Sequence, residues 1–158
     1  MNGIIKECET RVRRTYRGGA LLDVFLGRQR GTDGFFPEDW ISSFVEAKNR
    51  DYIPGEGITR LEDGRLITDA VGGGMFGQGR TEPGVLIKLL DSGERLGIQV
   101  HPTDAYAKKL FGSDYGKTES WHVLSTRRIN DEEPKVYLGF KPGLTRELWT
   151  EYYRTQNV

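Results

Sequence analysis

The segment Ile98-Gln99-Val100-His101 alternates apolar and polar side chains, so a strand here would project Gln99 and His101 to one face and Ile98 and Val100 to the other. Further on, Gly116-Lys117-Thr118-Glu119 leads into a strand-like run, Ser120 to Leu124. In that run Glu119 and Trp121 share a face and His122 takes the opposite one. An amide oxygen, an imidazole and a carboxylate form a donor set that suits zinc or another divalent ion, with positions left over for substrate and water. His122, the second of only two histidines, has the wrong parity to join Glu119. Spacing alone leaves a metal site and ordinary hydrogen-bonded residues both open. Lys88 adds a further clue. It lies within Val85-Leu86-Ile87-Lys88-Leu89-Leu90, where an ammonium is costly unless it snorkels to an edge or faces an anion or polar cavity.

The elements that would position these residues read as mostly β. Glycine occurs 21 times and punctuates short runs rich in Val, Ile, Leu, Thr, Tyr and Phe. Expected strands are Thr10 to Tyr16, Ile58 to Leu61, Leu66 to Ala70, Val85 to Leu90, Ile98 to His101, Ser120 to Leu124 and Val136 to Phe140, with Glu62-Asp63-Gly64 as a hairpin turn. Two segments carry helical signals instead. Thr103 can cap Asp104 to Phe111, a run with an acidic start, Lys108 and Lys109 near its end and Gly112 as its stop. Thr145 to Arg154 places Leu148, Trp149, Tyr152 and Tyr153 on one helical face. Trp40, Ile41, Phe44 and Val45 also recur at helical spacing, with Pro37 suited to a first turn. Gly72 to Gly84 reads as a long loop. Its first six residues satisfy G-x-G-x-x-G, but Gln78 to Gly84 cannot open the helix that a phosphate-cradling loop requires.

The stretch Leu86-Ile87-Lys88-Leu89-Leu90-Asp91, then Leu96-Gly97-Ile98-Gln99-Val100-His101-Pro102 with Asp104 and Tyr106-Ala107-Lys108, then Gly116-Lys117-Thr118-Glu119 before Trp121, closely resembles type I mannose-6-phosphate isomerases. I-Q-V-H-P followed by G-K-T-E is a specific pair of motifs. Upstream, Arg17-Gly18-Gly19 is similar to the family's aromatic-Gly-Gly segment, and Glu38 to Ser43 to its tryptophan-containing strand. The resemblance implies a cupin, an antiparallel β-barrel or jelly roll holding one zinc or another divalent metal, with a short helix after His101 and a C-terminal helix. It implies Gln99, His101 and Glu119 as metal ligands, and Lys88 and Lys117 in the sugar-phosphate pocket in catalytic and substrate-binding roles. It also makes the Trp40 segment a strand, against its helical periodicity, and we follow the resemblance there. On this reading residues 1–158 form a single cupin-like domain, the N-terminal portion of an isomerase that interconverts mannose 6-phosphate and fructose 6-phosphate.

The sequence departs from the pattern in two places. Gly97 stands where the family commonly has serine. The fourth ligand, a histidine in a P-A-G-x-x-H-like segment, and a later arginine find no counterpart in these 158 residues. The alternative is therefore a non-catalytic cupin fragment or sugar-phosphate-binding module with an incomplete metal site, whose exposed barrel edges would favour self-association. An iron oxygenase would need two histidines and a carboxylate on one site, which the parity of His122 opposes.

Composition excludes other classes. The chain has the length of one domain, and 36% hydrophobic residues provide for one core. Its 23 basic and 23 acidic residues cancel, so no net charge recruits nucleic acid or an acidic membrane. The arginines between Lys6 and Arg17 read as a solvated strand face. One cysteine permits no internal disulfide and no thiolate cluster, and Cys8 reads as a partly buried small residue. With no signal-peptide pattern and no membrane-length apolar run, the expected location is the cytoplasm.

Overall fold

A computed structural model of the chain describes residues 4–72, 75–77 and 79–157. The chain divides into two compact units, Met1–Glu119 and Ser120–Val158.

In the first unit, β1 (Arg11–Val12), β2 (Glu38–Ile41) and β3 (Ile87–Leu90) form an antiparallel sheet in the order β1-β2-β3. The register pairs Val12 with Glu38, Trp40 with Lys88 and Glu38 with Leu90. Because side chains alternate across a sheet, Val12, Glu38, Trp40, Lys88 and Leu90 share one face. Ladder pairing stops where Pro37, which has no N–H to donate, precedes β2. This is one reason that β1 is shorter than the expected strand from Thr10 to Tyr16. The tryptophan segment is a strand, as the resemblance implied and against its helical periodicity.

Gly18 and Gly19 bring the chain from β1 close to the end of β3. A Cβ on Gly18 would lie 1.8 Å from the Asp91 carbonyl oxygen, which no side chain could tolerate. That close approach lets the buried Asp91 carboxylate accept hydrogen bonds from the N–H groups of Gly19 at 3.1 Å and Leu21 at 2.8 Å. It thereby satisfies free donors at the start of helix α1 (Ala20–Phe25).

Two apolar clusters anchor this unit. Val12, Trp40 and Ala47 pack together with Leu86. Leu61, Ile67, Ala70 and Val71 form the other cluster, covered by Ile5, Phe44, Ile58 and Phe76. The second cluster explains a correction: Leu66 to Ala70, expected as a strand, contains helix α2 (Ile67–Ala70). A strand would have placed Ile67 beside Asp69, whereas one helical turn puts Ile67 and Ala70 together in the core. Ile58 to Leu61 contributes only isolated bridges, from Arg60 to Leu66 and from Leu61 to Glu7. The turn at Glu62-Asp63-Gly64 is present, closed by hydrogen bonds from Leu61 N–H to Arg65 O and from Gly64 N–H to Leu61 O.

Helix α3 (Asp104–Phe111) matches its expected bounds, with Gly112 left-handed at φ 67° as its stop. Thr103 occupies the capping position without donating or accepting a side-chain cap bond. The glycine-rich pattern at Gly72 to Gly77 falls partly on residues 73 and 74, outside the described residues.

In the second unit, helix α4 (Arg146–Thr155) begins one residue later than expected, with the Thr145 hydroxyl accepting from Leu148 N–H at 3.2 Å. Phe140 meets Trp149 edge-on, with ring centroids 5.1 Å apart. No strand forms at Ser120 to Leu124 or Val136 to Phe140. Val123 and Leu138 in these runs are 62% and 96% exposed, and apolar alternation without a ladder partner or a covering layer does not make a sheet. The described residues thus carry three short strands and four helices, fewer strands than the mainly β reading expected, and no closed barrel.

The basic stretch before Gly18 is also less solvated than expected. Arg11 pairs with Glu9 and with Asp23 at 3.0 Å, and Arg14 pairs with Glu38 at 3.0 Å. Cys8 is exposed rather than partly buried. No helix among the described residues is long and apolar enough to cross a membrane.

Candidate metal centre

Three local features bring Gln99, His101, Lys117 and Glu119 together. Pro102 and Thr103 lead from His101 into α3, and the chain returns at Gly116, whose N–H donates to the Asp104 carboxylate at 2.7 Å. Lys117 N–H then donates to Pro102 O at 3.0 Å. Gly116 permits this return because a Cβ there would lie 2.5 Å from the same carbonyl oxygen. The crossover is pinned at both ends, so Lys117 and Glu119 are held beside His101.

The side chains converge on a single point. Lys117 Nζ lies 3.3 Å from Gln99 Oε1, 3.3 Å from His101 Nε2 and 3.2 Å from Glu119 Oε2. His101 Nε2 and Glu119 Oε2 are 3.2 Å apart. Two donors on one tetrahedral zinc, each at roughly 2.0–2.1 Å, lie about 3.3 Å apart, so this separation suits a shared ion as well as a direct imidazole–carboxylate hydrogen bond. Gln99 and His101 also meet a common partner, as the alternation anticipated. The strand expected to hold them does not form, however: Ile98 to His101 has no ladder, and Ile98 and Val100 are 54% and 75% exposed instead of packed. The crossover contacts therefore orient this segment. Among the described residues no three His, Cys, Asp or Glu side chains gather to hold a metal. The candidate set has two such residues and completes itself with the Gln99 amide, and this donor chemistry fits a divalent ion.

Lys88 borders the centre from β3. Its Nζ lies 3.6 Å from Glu38 Oε2 and 4.0 Å from Glu119 Oε1, with its side chain only 19% exposed. The ammonium is thus neither a snorkelling edge group nor an unpaired buried charge, because two carboxylates flank it.

Sequence reasoning missed the group behind it. Glu38, 2% exposed, accepts hydrogen bonds from Tyr16 OH at 2.5 Å, Trp40 Nε1 at 2.7 Å and Arg14 Nε at 3.0 Å. Burial pushes the Glu38 carboxyl upward, but the Tyr16 and Trp40 hydrogen bonds and the charges of Lys88 and Arg14 outweigh it and hold the group below the usual range. Tyr16 moves the other way: burial and then the Glu38 carboxylate raise its pKa well above that of an ordinary phenol. Arg14 also stacks over the Trp40 ring at 5.6 Å. The available signal was a glutamate two residues before a core tryptophan on the same strand face.

Gln99, His101 and Glu119 thus gather around the Lys117 ammonium, beside the small antiparallel sheet that carries Lys88. The chain is 44% identical over 73 residues to the probable mannose-6-phosphate isomerase GmuF of Bacillus subtilis, a match covering 46% of this chain and 22% of that protein. It is 39% identical over 64 residues to the mannose-6-phosphate isomerase of Streptococcus mutans, covering 40% of this chain and 19% of the relative. It is also 39% identical over 66 residues to mannose-6-phosphate isomerase ManA of B. subtilis, covering 42% and 20%. The matched segment thus spans about a fifth of each curated relative. No family model matches the chain. No solved structure matches it significantly.

Proposed function

We propose that this chain carries the metal-binding part of a zinc-dependent aldose–ketose isomerase that interconverts mannose 6-phosphate and fructose 6-phosphate in the cytoplasm. The observation that carries this reading is the convergence of Gln99, His101 and Glu119 within 3.3 Å of one point. The names of the three similar proteins support the substrate class. The β1-β2-β3 sheet is, in this reading, part of a cupin barrel.

Isomerisation moves a proton between C1 and C2 and places negative charge on the adjoining sugar oxygens in an enediolate. A zinc held by Gln99, His101 and Glu119 would supply Lewis-acid stabilisation of that charge. Lys117 and Lys88 supply compact cations beside the Glu119 carboxylate, suited to the substrate's phosphate or to a developing oxyanion. The Glu38 carboxylate fixes Lys88 from beneath, and Arg14, Tyr16 and Trp40 fix Glu38 in turn.

The test is to supply the purified protein with zinc and mannose 6-phosphate and to follow fructose 6-phosphate by a coupled assay. Zinc-dependent turnover is expected, with a loss of about a hundredfold or more in Glu119→Gln. Turnover that ignores zinc, an unaffected Glu119→Gln, or a parent chain that neither turns over nor retains zinc sinks the proposal.

A further inference from the structure

We propose that the Lys117 ammonium is an internal competitor for the metal position: it and a divalent ion claim the same three donor atoms, so Lys117 sets the metal affinity and is released when the metal binds. The inference rests on the metal-centre reading above and adds a role for Lys117 that precedes any chemistry on substrate.

The geometry makes the two states exclusive. An ammonium has three N–H donors and no acceptor, and Lys117 Nζ lies within 3.3 Å of Gln99 Oε1, Glu119 Oε2 and His101 Nε2, the last an acceptor in the tautomer that carries its proton on Nδ1. With its proton on Nδ1, the His101 ring has one lone pair on Nε2, which can serve the ammonium or a metal but not both. A zinc at roughly 2.0–2.2 Å from these donors would lie too close to Nζ for both cations to stay. Nζ must therefore leave.

The side chain has the freedom to do so. Lys117 is 48% exposed along its side chain, while its backbone is held by the bond to Pro102 O and by the fit of Gly116. Metal entry thus swings the amine without disturbing the crossover, and delivers a freed cation to the edge of the centre. Lys88 cannot play this part. It is 19% exposed, is held by Glu38, and approaches only Glu119 among the three donors, at 4.0 Å.

The test compares zinc affinity, at fixed pH and salt, in the parent chain, Lys117→Met and Lys88→Met. Both variants remove one positive charge near Glu119, but only the first removes the competitor. Lys117→Met should bind zinc about tenfold more tightly, as expected when a competing state holds most of the free protein, and Lys88→Met should gain less than about threefold. An unchanged or weakened Lys117→Met, or an equal gain in Lys88→Met, overturns the competition while leaving the metal centre standing. Failure of both the parent and Lys117→Met to bind zinc overturns the competition and the metal centre together. A second readout needs no variant: amine acetylation of Lys117 in the parent chain, followed by mass spectrometry, should speed up several-fold when zinc is added. An unchanged or slower rate contradicts release.

Discussion

Replacing Glu38 with alanine removes one carboxylate and strands four partners. Tyr16 OH, Trp40 Nε1 and Arg14 Nε lose their hydrogen-bond acceptor, and Lys88 loses the closer of its two counter-charges. Each orphaned buried donor costs roughly 1–3 kcal/mol, and breaking a buried ion pair by deleting one partner costs about 3–5 kcal/mol. Water entering the space left by the side chain offsets part of this, so about 3–5 kcal/mol in total is the expected loss for Glu38→Ala, read from urea unfolding. Glu38→Gln keeps the shape and one acceptor oxygen and should lose roughly half as much. The pH dependence carries a sign. The Glu38 pKa is lower in the folded state than its ordinary 4.5, so its charge stabilises the fold above that value. The stability gap between the parent chain and Glu38→Gln should be complete above about pH 5 and close as pH falls below about 4.5 and through the lowered folded-state pKa. A cost below about 1 kcal/mol for Glu38→Ala, or a gap that widens on acidification, would refute the reasoning.

Two further substitutions test how the chain reaches the centre. Gly18→Ala forces a Cβ toward the Asp91 carbonyl oxygen and should loosen both the β3 end and the Asp91 bonds to α1, lowering the melting temperature by at least about 5 °C. A shift within about 1 °C would mean the close approach is not kept in solution. Gly116→Ala meets the Pro102 carbonyl oxygen and should displace Lys117 and Glu119 from His101, weakening zinc binding about tenfold in a calorimetric titration while far-ultraviolet circular dichroism stays the same. Unchanged zinc affinity would show that the crossover does not orient the ligands.

What the sequence made legible were local signals and side-chain chemistry. Helix α3 could be bounded to the residue because its polarity and Gly112 are encoded within its own span. That Gln99 and His101 meet a common partner was anticipated from alternation, although the strand that reading presumed does not form, and the burial of Lys88 beside carboxylates from the cost of a charge in an apolar run. Partnership across the chain was not legible. Whether Ile98 to His101 or Val136 to Phe140 joins a ladder depends on a neighbouring strand, which local β propensity does not specify. At Leu66 to Ala70 the β-favouring residues yielded to a core cluster reached by helical spacing. The importance of Glu38 arises from Arg14, Tyr16 and Lys88, which are distant in sequence and meet it only once the chain has folded.

The central claim is that Gln99, His101 and Glu119 can hold one metal ion, and zinc K-edge X-ray absorption on the zinc-loaded chain tests it most directly. The sequence contains two histidines and one cysteine, so the alternatives are few. The account predicts a shell of oxygen and nitrogen donors at about 2.0–2.1 Å with a single imidazole, that of His101. A sulfur donor, two imidazoles, or no zinc retained would contradict it.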